Sequence, residues 1–346
     1  MAKILIVGDV HFSQYSSIVR SRGEFFSTRL ENMIKSLNWV EQVAKERGCV
    51  EEIFLGDFFD RSDLAPEEAT ALSEIDWNTT SRIRHFIVGN HESSVASLIY
   101  SSTKVLQFKN NVIEDKPYIY PLDDKTEILF LPYILEEDRK LLKDYLEQRD
   151  SSKKLLIVSH NDIKGVQMGK FISTTGFDVE DIEKNCDLYI NGHLHNGSWI
   201  TKKILNLGNL TGQNFNEDAT KYEHHIAILD TDTFEIELIE NPYAMNFYKI
   251  DINTIQEVEQ LKYIKSNAVL HIKCLDILEN EIRNILEDKN VIASKIVLTR
   301  EMGADNQVEL KFESADHLKQ FIDFILSRDD LENLDIIKEE LLEVCK

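Results

Sequence analysis

The chain has 346 residues and a formal net charge of -22, from 61 Asp plus Glu against 39 Lys plus Arg. That length can bury a large core and suits two domains, or one large domain with an appendage. That charge repels a phosphate backbone over most of the surface, so contact with nucleic acid requires a local basic patch, bound metal ions or a more basic partner. Cys49, Cys186, Cys274 and Cys345 have neither metal nor redox spacing, and the sequence has no secretory segment and no apolar run of transmembrane length. A soluble protein of the reducing cytoplasm, without a membrane partner, is therefore expected.

KILIVGD (3–9) predicts the first strand, and residues 28–48 place Leu30, Met33, Ile34, Leu37, Val40 and Ala44 at helical spacing, with Gly48 as the stop. VEEIFLGD (50–57), a helix opened by Pro66 over 66–76, RHFIVGN (84–90) and a helix around 97–107 come next. EILFLPY (127–133), a polar helix near 137–149, KKLLIVSH (153–160) and CDLYINGH (186–193) continue the alternation. Continuously apolar strands between helices predict sheets covered by helices.

Past residue 200 the helices drop out. Runs at 202–209, 223–230 and 234–240 predict antiparallel strands returning to a sheet edge, and Asn241-Pro242 marks a break. Strands at 247–252, 268–275, 294–300 and 308–314, helices near 254–264 and 276–289, and two terminal helical stretches predict a small α+β domain. The expected organisation is α/β, divided at 1–242 and 243–346.

Five of the apolar runs end in polar residues that include candidate ligands: GDVH with Asp9 and His11, GDFFDR with Asp57, Asp60 and Arg61, GNHE with Asn90, His91 and Glu92, SH with His160, and GHLH with His193 and His195. Folding a strand does not require a carboxylate or imidazole at its end, whereas open α/β sheets gather their ligands on the loops beyond the carboxyl ends of strands. Carboxylate and amide oxygens suit hard divalent cations, and imidazole suits Mn, Fe or Zn. One carboxylate can bridge two such ions, which together clamp the attacking and leaving oxygens of a phosphoryl displacement. Asp57, on a sharp turn straight out of a strand, is the best bridge candidate.

The ordered series GDVH, GDFFDR, GNHE, SH and GHLH resembles the calcineurin-like metallophosphoesterases over about residues 4–210. Within them it is similar to the SbcD-like nuclease subunit of the double-strand-break repair complex, including the branch found in large bacteriophages. The resemblance implies a metallophosphoesterase β-sandwich with flanking helices, followed by a small α+β cap domain. It also implies one metal on Asp9, His11, Asp57 and His195, and a second on Asp57, Asn90, His160 and His193. His91 matches the family's histidine that faces the scissile phosphate without binding metal. Manganese (or magnesium)-dependent DNA exonuclease and endonuclease activity is implied as well, within a homodimeric complex with an SbcC-like coiled-coil ATPase of the SMC family.

GDFFDR followed by GNHE also resembles protein Ser/Thr phosphatases, although Phe12 rather than glycine follows His11. A small-molecule phosphodiesterase and a non-catalytic scaffold on the same fold complete the alternatives. Arg20, Arg22 and Arg29, interleaved with Tyr15, Phe25 and Phe26, are candidate DNA contacts or part of a plain surface loop. Lys164 and Lys170 form a second candidate edge or a connector, and Arg61 either grips phosphate or pairs with a neighbouring carboxylate. His85, His224, His225, His271 and His317 read as sheet or surface histidines. The apolar stripes of 317–345 dock on their own domain or meet the ATPase.

Overall fold

Strand β1 (Lys3–Val7) alternates its side chains between two apolar layers: Ile4 and Ile6 face one, Leu5 and Val7 the other, and all four are buried. This is why residues 4–7 carry no polar side chain. Around it forms a six-stranded sheet with β2 (Glu51–Phe54), β3 (Ile83–Ile87), β4 (Asn111–Glu114), β11 (His225–Asp230) and β12 (Ile236–Glu240), in the order β12-β11-β1-β2-β3-β4. The strands β1 to β4 are parallel, and β11 and β12 run antiparallel at one edge.

A second six-stranded sheet has the order β9-β10-β8-β7-β6-β5, built from β5 (Tyr118–Pro121), β6 (Thr126–Leu131), β7 (Lys154–Ser159), β8 (Leu188–Asn191), β9 (Ser198–Trp199) and β10 (Ile204–Asn206). The two sheets enclose a shared layer that includes Ile4, Ile6, Ile53, Ile87, Phe130, Leu156, Val158 and Ile190. Each fully buried side chain of this size contributes roughly 1.5–3 kcal/mol.

Helix α1 (Thr28–Arg47) covers the outer face of the first sheet with Leu30, Met33, Leu37, Val40 and Ala44. Ser27 caps its start by accepting from Leu30 N–H at 3.2 Å, and Gly48 ends it in the left-handed region at φ 67. The other sheet's outer face is covered by Leu142 and by Ile182 of α3 (Val179–Asn185), the short helix α2 (Pro66–Ala71) lying earlier in the chain. The fold is thus a β-sandwich with flanking helices.

A smaller helix and strand region follows, resembling a cap domain. Its strands β13 (Asn246–Ile252), β14 (Ala268–Leu275) and β15 (Val291–Thr299) form a parallel sheet, with α4 (Ile255–Val258) and α5 (Glu279–Glu287) in the connections. The computed structural model describes residues 2–16, 18–19, 23–77, 82–94, 97–168 and 171–299. Residues 1–299 form one unit, and 300–346 divide off as a second, which lies outside the described residues together with the strand expected at 308–314 and the terminal helices.

Three local expectations are corrected. Residues 97–101 are a strand followed by a 3-10 turn at 102–106 rather than a helix; the Ser and Thr side chains there bond locally, with Ser101 Oγ accepting from Thr103 N–H at 3.2 Å. The polar helix near 137–149 is replaced by two short 3-10 turns, Glu136–Asp138 and Leu142–Leu146, and with few apolar positions it has little face to bury. Strand β10 is parallel to β8 inside the second sheet, not antiparallel at an edge with β11 and β12. Among the described residues no helix is long and apolar enough to cross a membrane.

Two buried ionic clusters lie on opposite faces of the first sheet. Beneath α1, Arg82 and Arg84 pair with Glu41 and Glu52 at 2.6–3.2 Å. Between the sheets, His85 places Nδ1 2.8 Å from Glu114 and Nε2 3.0 Å from Glu51, with its ring stacked on Phe130. His85 is therefore a sheet histidine, as expected, but one held by two carboxylates.

Candidate metal centre

The loops after β1, β2, β3, β7 and β8 converge at one end of the sandwich. The first two interlock through backbone: Asp57 C=O accepts from Val10 and His11 N–H at 3.2 and 2.8 Å, and Phe58 C=O from Phe12 N–H at 2.7 Å. His11, Asp57 and His193 adopt φ of 49, 44 and 70, left-handed backbone that costs about 1–3 kcal/mol per residue without a functional gain. Glycines let the loops close on one another. A Cβ on Gly89 would lie 2.1 Å from Asp57 Oδ1, and one on Gly56, itself at φ 106, 2.3 Å from His160 Nδ1.

Four atoms surround one point between the sheets. His160 Nε2 lies 3.1 Å from both Asp57 Oδ2 and Asn90 Oδ1, and His193 Nδ1 lies 3.1 Å from Asn90 Oδ1. The outward nitrogens are already engaged, His160 Nδ1 at 2.8 Å from Leu55 C=O and His193 Nε2 at 3.2 Å from Asp162. Asp57, His160 and His193 each present a ligand atom within 4.8 Å of the others.

Asp9, His11 and His195 form a second such group, and His11, Asp57 and His91 a third that links the two. Asp9 is fixed by accepting from His193 N–H at 2.9 and 3.1 Å, and His195 Nδ1 is 3.1 Å from Glu217. His11 is 1% exposed, yet neither of its ring nitrogens has a hydrogen-bond partner among the described residues. Asp60 Oδ1 is 3.2 Å from Nδ1 but off the hydrogen-bond direction. A buried imidazole facing the Asp9 and Asp60 carboxylates, with no well-aligned hydrogen bond of its own, fits the donor set of a divalent cation.

The electrostatics agree. Burial pushes the Asp57 carboxyl up, but the charges of His160, His11 and His91 outweigh it and hold the group well below the usual carboxylate range. Burial opposes a charge on His160, yet Asp57, Asp9 and Glu92 draw its pKa up to about 9. Glu92 goes the other way, to about 8, because it is buried beside Asp57. The buried Asp57 charge requires a positive counterpart, from His160 or from a bound cation.

All seven expected ligands and His91 are brought together. His91 is the exposed member, its side chain 43% accessible; its N–H donates to Asp57 Oδ1 at 3.0 Å, and its Nδ1 is 3.2 Å from Asp60 C=O. With His11, Tyr15, Arg29, Asp60 and His195 it lines a cleft of about 270 Å³. Of the expected DNA contacts, Arg20, Arg22 and Lys170 lie outside the described residues. Arg29 is buried and donates to His11 C=O at 3.3 Å and to the Gln213 side chain. Arg61 sits 3.7 Å from Glu68 and over the Tyr15 ring at 4.3 Å, and Lys164 pairs with Asp178 at 3.3 Å.

Three supporting carboxylates have roles that the sequence reading did not assign. Glu92 stands in a motif already singled out; it accepts from Gly89 and Phe59 N–H at 2.9 and 3.0 Å and so ties the second loop to the third. Asp162 follows His160 by two residues, a spacing that offered a weak signal. Glu217 lies far from any motif and nothing in the sequence marks it.

The model of the calcineurin-like phosphoesterase family matches residues 2–197. No curated protein matches the chain significantly. Among solved structures it is similar to a dimetal phosphatase from Danio rerio, at 14% identity and TM-score 0.41 over 69% of this chain and 95% of the other. A novel archaeal phosphodiesterase gives 16% identity and TM-score 0.35 over 69% and 99%. A phosphoesterase from E. coli gives 12% identity and TM-score 0.31 over the same shares of 69% and 99%.

Proposed function

The chain belongs to the calcineurin-like phosphoesterases, and from that premise we propose that it hydrolyses phosphodiester bonds at a two-metal centre. Asp9, His11, Asp57 and His195 would hold one ion, and Asp57, Asn90, His160 and His193 the other. The observation that carries this is the place of Asp57, which shares one ligand-sized group with His160 and His193 and another with His11 and His91. The mixture of imidazole and carboxylate suits manganese, with magnesium as the harder alternative. When bound, such a pair supplies Lewis-acid polarisation of phosphate oxygens and an activated water. His91 keeps Nδ1–H against the Asp60 carbonyl and stands at the cleft, so in its doubly protonated form Nε2–H would give its proton to the leaving oxygen, leaving the neutral Nδ1–H tautomer. The short contacts of Gly56 and Gly89 hold the ligand loops at fixed separation.

DNA as substrate is supported by the motif series and by the wall that the C-terminal sheet makes beside the cleft, where Val19 packs with Phe247 and Val269. A homodimer and an SMC-type coiled-coil ATPase would accompany that role and provide the basic contacts that a -22 chain lacks. A specific observation favours a second substrate class, a small phosphodiester or a phosphoprotein: Arg29 and Arg61, the arginines described near the cleft, are both engaged within the protein. The deciding experiment incubates the full chain in manganese or magnesium with labelled duplex ends, single strands, a small aryl phosphodiester and a phosphoserine peptide. Cleavage of the DNA substrates supports the nuclease. Turnover of the peptide with all DNA intact overturns it in favour of a phosphatase.

A further inference from the structure

We propose that Glu217 is the positioning residue that aims His195 at the first metal and ties this ligand to the C-terminal sheet; the inference rests on the two-metal reading. Glu217 is 2% exposed and its carboxylate is fully used. Oε1 lies 3.1 Å from His195 Nδ1 and accepts from Asn214 Nδ2 at 3.3 Å, while Oε2 accepts from Gln213 N–H at 2.9 Å. An imidazole that donates Nδ1–H to a carboxylate has a fixed ring orientation and a more basic Nε2, which is then left to face the metal.

The loop that carries Glu217 also reaches the His11 side of the first metal position. Gln213 accepts from Arg29, which also donates to the His11 carbonyl, and Gln213 Nε2 reaches Thr211 and Val10 carbonyls at 3.1 and 3.5 Å. Phe215 packs edge-on against Phe247 of β13 at 5.3 Å and lies 5.6 Å from His271 of β14. Ala219 N–H then donates to Phe247 C=O at 2.8 Å. The C-terminal sheet therefore clamps a loop whose one buried carboxylate holds a ligand. His193, on the second metal's side, is held by a different carboxylate, Asp162, so the two imidazoles have separate supports.

The test is a manganese titration of the full chain, read by bound-metal stoichiometry and by electron paramagnetic resonance, which distinguishes a spin-coupled pair from a lone ion. Glu217→Gln keeps the shape of the side chain and removes its charge. The expected result is a first-site affinity weakened about 10–100-fold, with one ion retained and the coupled signal replaced by a mononuclear one. Adding Glu217→Gln to His195→Ala should cost nothing further, whereas adding it to Asn90→Ala should remove the remaining ion. If Glu217→Gln does not fold, Glu217→Asp keeps the charge but draws it back from Nδ1, and the same loss is expected. Two ions of unaltered affinity in the Glu217 variants would overturn the positioning role while leaving the two-metal reading intact. A wild-type chain that takes up fewer than two ions overturns both.

Discussion

Asp57 Oδ2 and His160 Nε2 stand 3.1 Å apart, the first delivered by a strand of one sheet and the second by a strand of the other. The centre therefore exists only when the two sheets are packed, and the apolar layer between them determines where the ligands meet.

Asp57→Ala should release both ions, because the residue shares one ligand group with His160 and His193 and another with His11. Elemental analysis of the folded variant checks it; two tightly bound ions would remove Asp57 from the bridging role.

His91→Ala should leave metal content unchanged and lower turnover by about 10²–10⁴-fold, the usual range for a proton donor. Steady-state rates beside a metal assay decide the point, and loss of ions in this variant would make His91 a ligand instead.

Gly89→Ala should perturb the centre without replacing a ligand, since the added methyl would fall 2.1 Å from Asp57 Oδ1 and 2.4 Å from Asp57 N. A destabilisation of about 1–3 kcal/mol and weakened metal binding are expected together in denaturant and metal titrations. Wild-type values for both would mean that the loops part more readily than the contacts imply.

His85 links stability to pH. Burial opposes its charge, but the hydrogen bonds it donates to Glu114 and Glu51 prevail and raise its pKa above the ordinary 6.5. Tyr120, which also faces it and whose hydroxyl lies 3.1 Å from Glu51, is itself pushed up to about 12 and stays neutral. A raised folded-state value means that the stabilisation is complete below 6.5 and is lost as pH climbs through that higher value. His85→Leu strands two buried carboxylates and should cost about 3–5 kcal/mol in mild acid. Melting curves of the two proteins should converge toward alkaline pH, and a gap independent of pH would show that His85 is neutral in the fold.

The ligand set was legible in the sequence because chemistry there overrides the pattern: Asp9, Asp57, Asn90, His160 and His193 each interrupt or follow an apolar run that had no structural need of them. Their supports were harder to see. Glu217 reaches His195 through a loop with no periodicity, and only the packing of Phe215 on Phe247 places it. Helix α1 was readable from its spacing and its Gly48 stop, whereas 97–107 looked helical because short apolar runs with scattered polar residues fit either period. The parallel course of β10 depends on a neighbour, β8, that no local signal reveals.

The charged clusters on the two faces of the first sheet act as a gauge for strand alignment. In the native pairing Glu52 stands opposite Arg84 and Ile53 opposite His85. Sliding β3 by one residue would turn His85 toward the helix and Arg84 into the apolar layer, each away from its carboxylates, a mistake that an all-aliphatic pair of strands would tolerate far better. The same slip would carry Asn90 along the strand direction by about 3.3 Å, more than the 3.1 Å that separates it from His160. Side chains that never approach the cleft thereby exclude the misaligned sandwiches in which it would be built one step out of place.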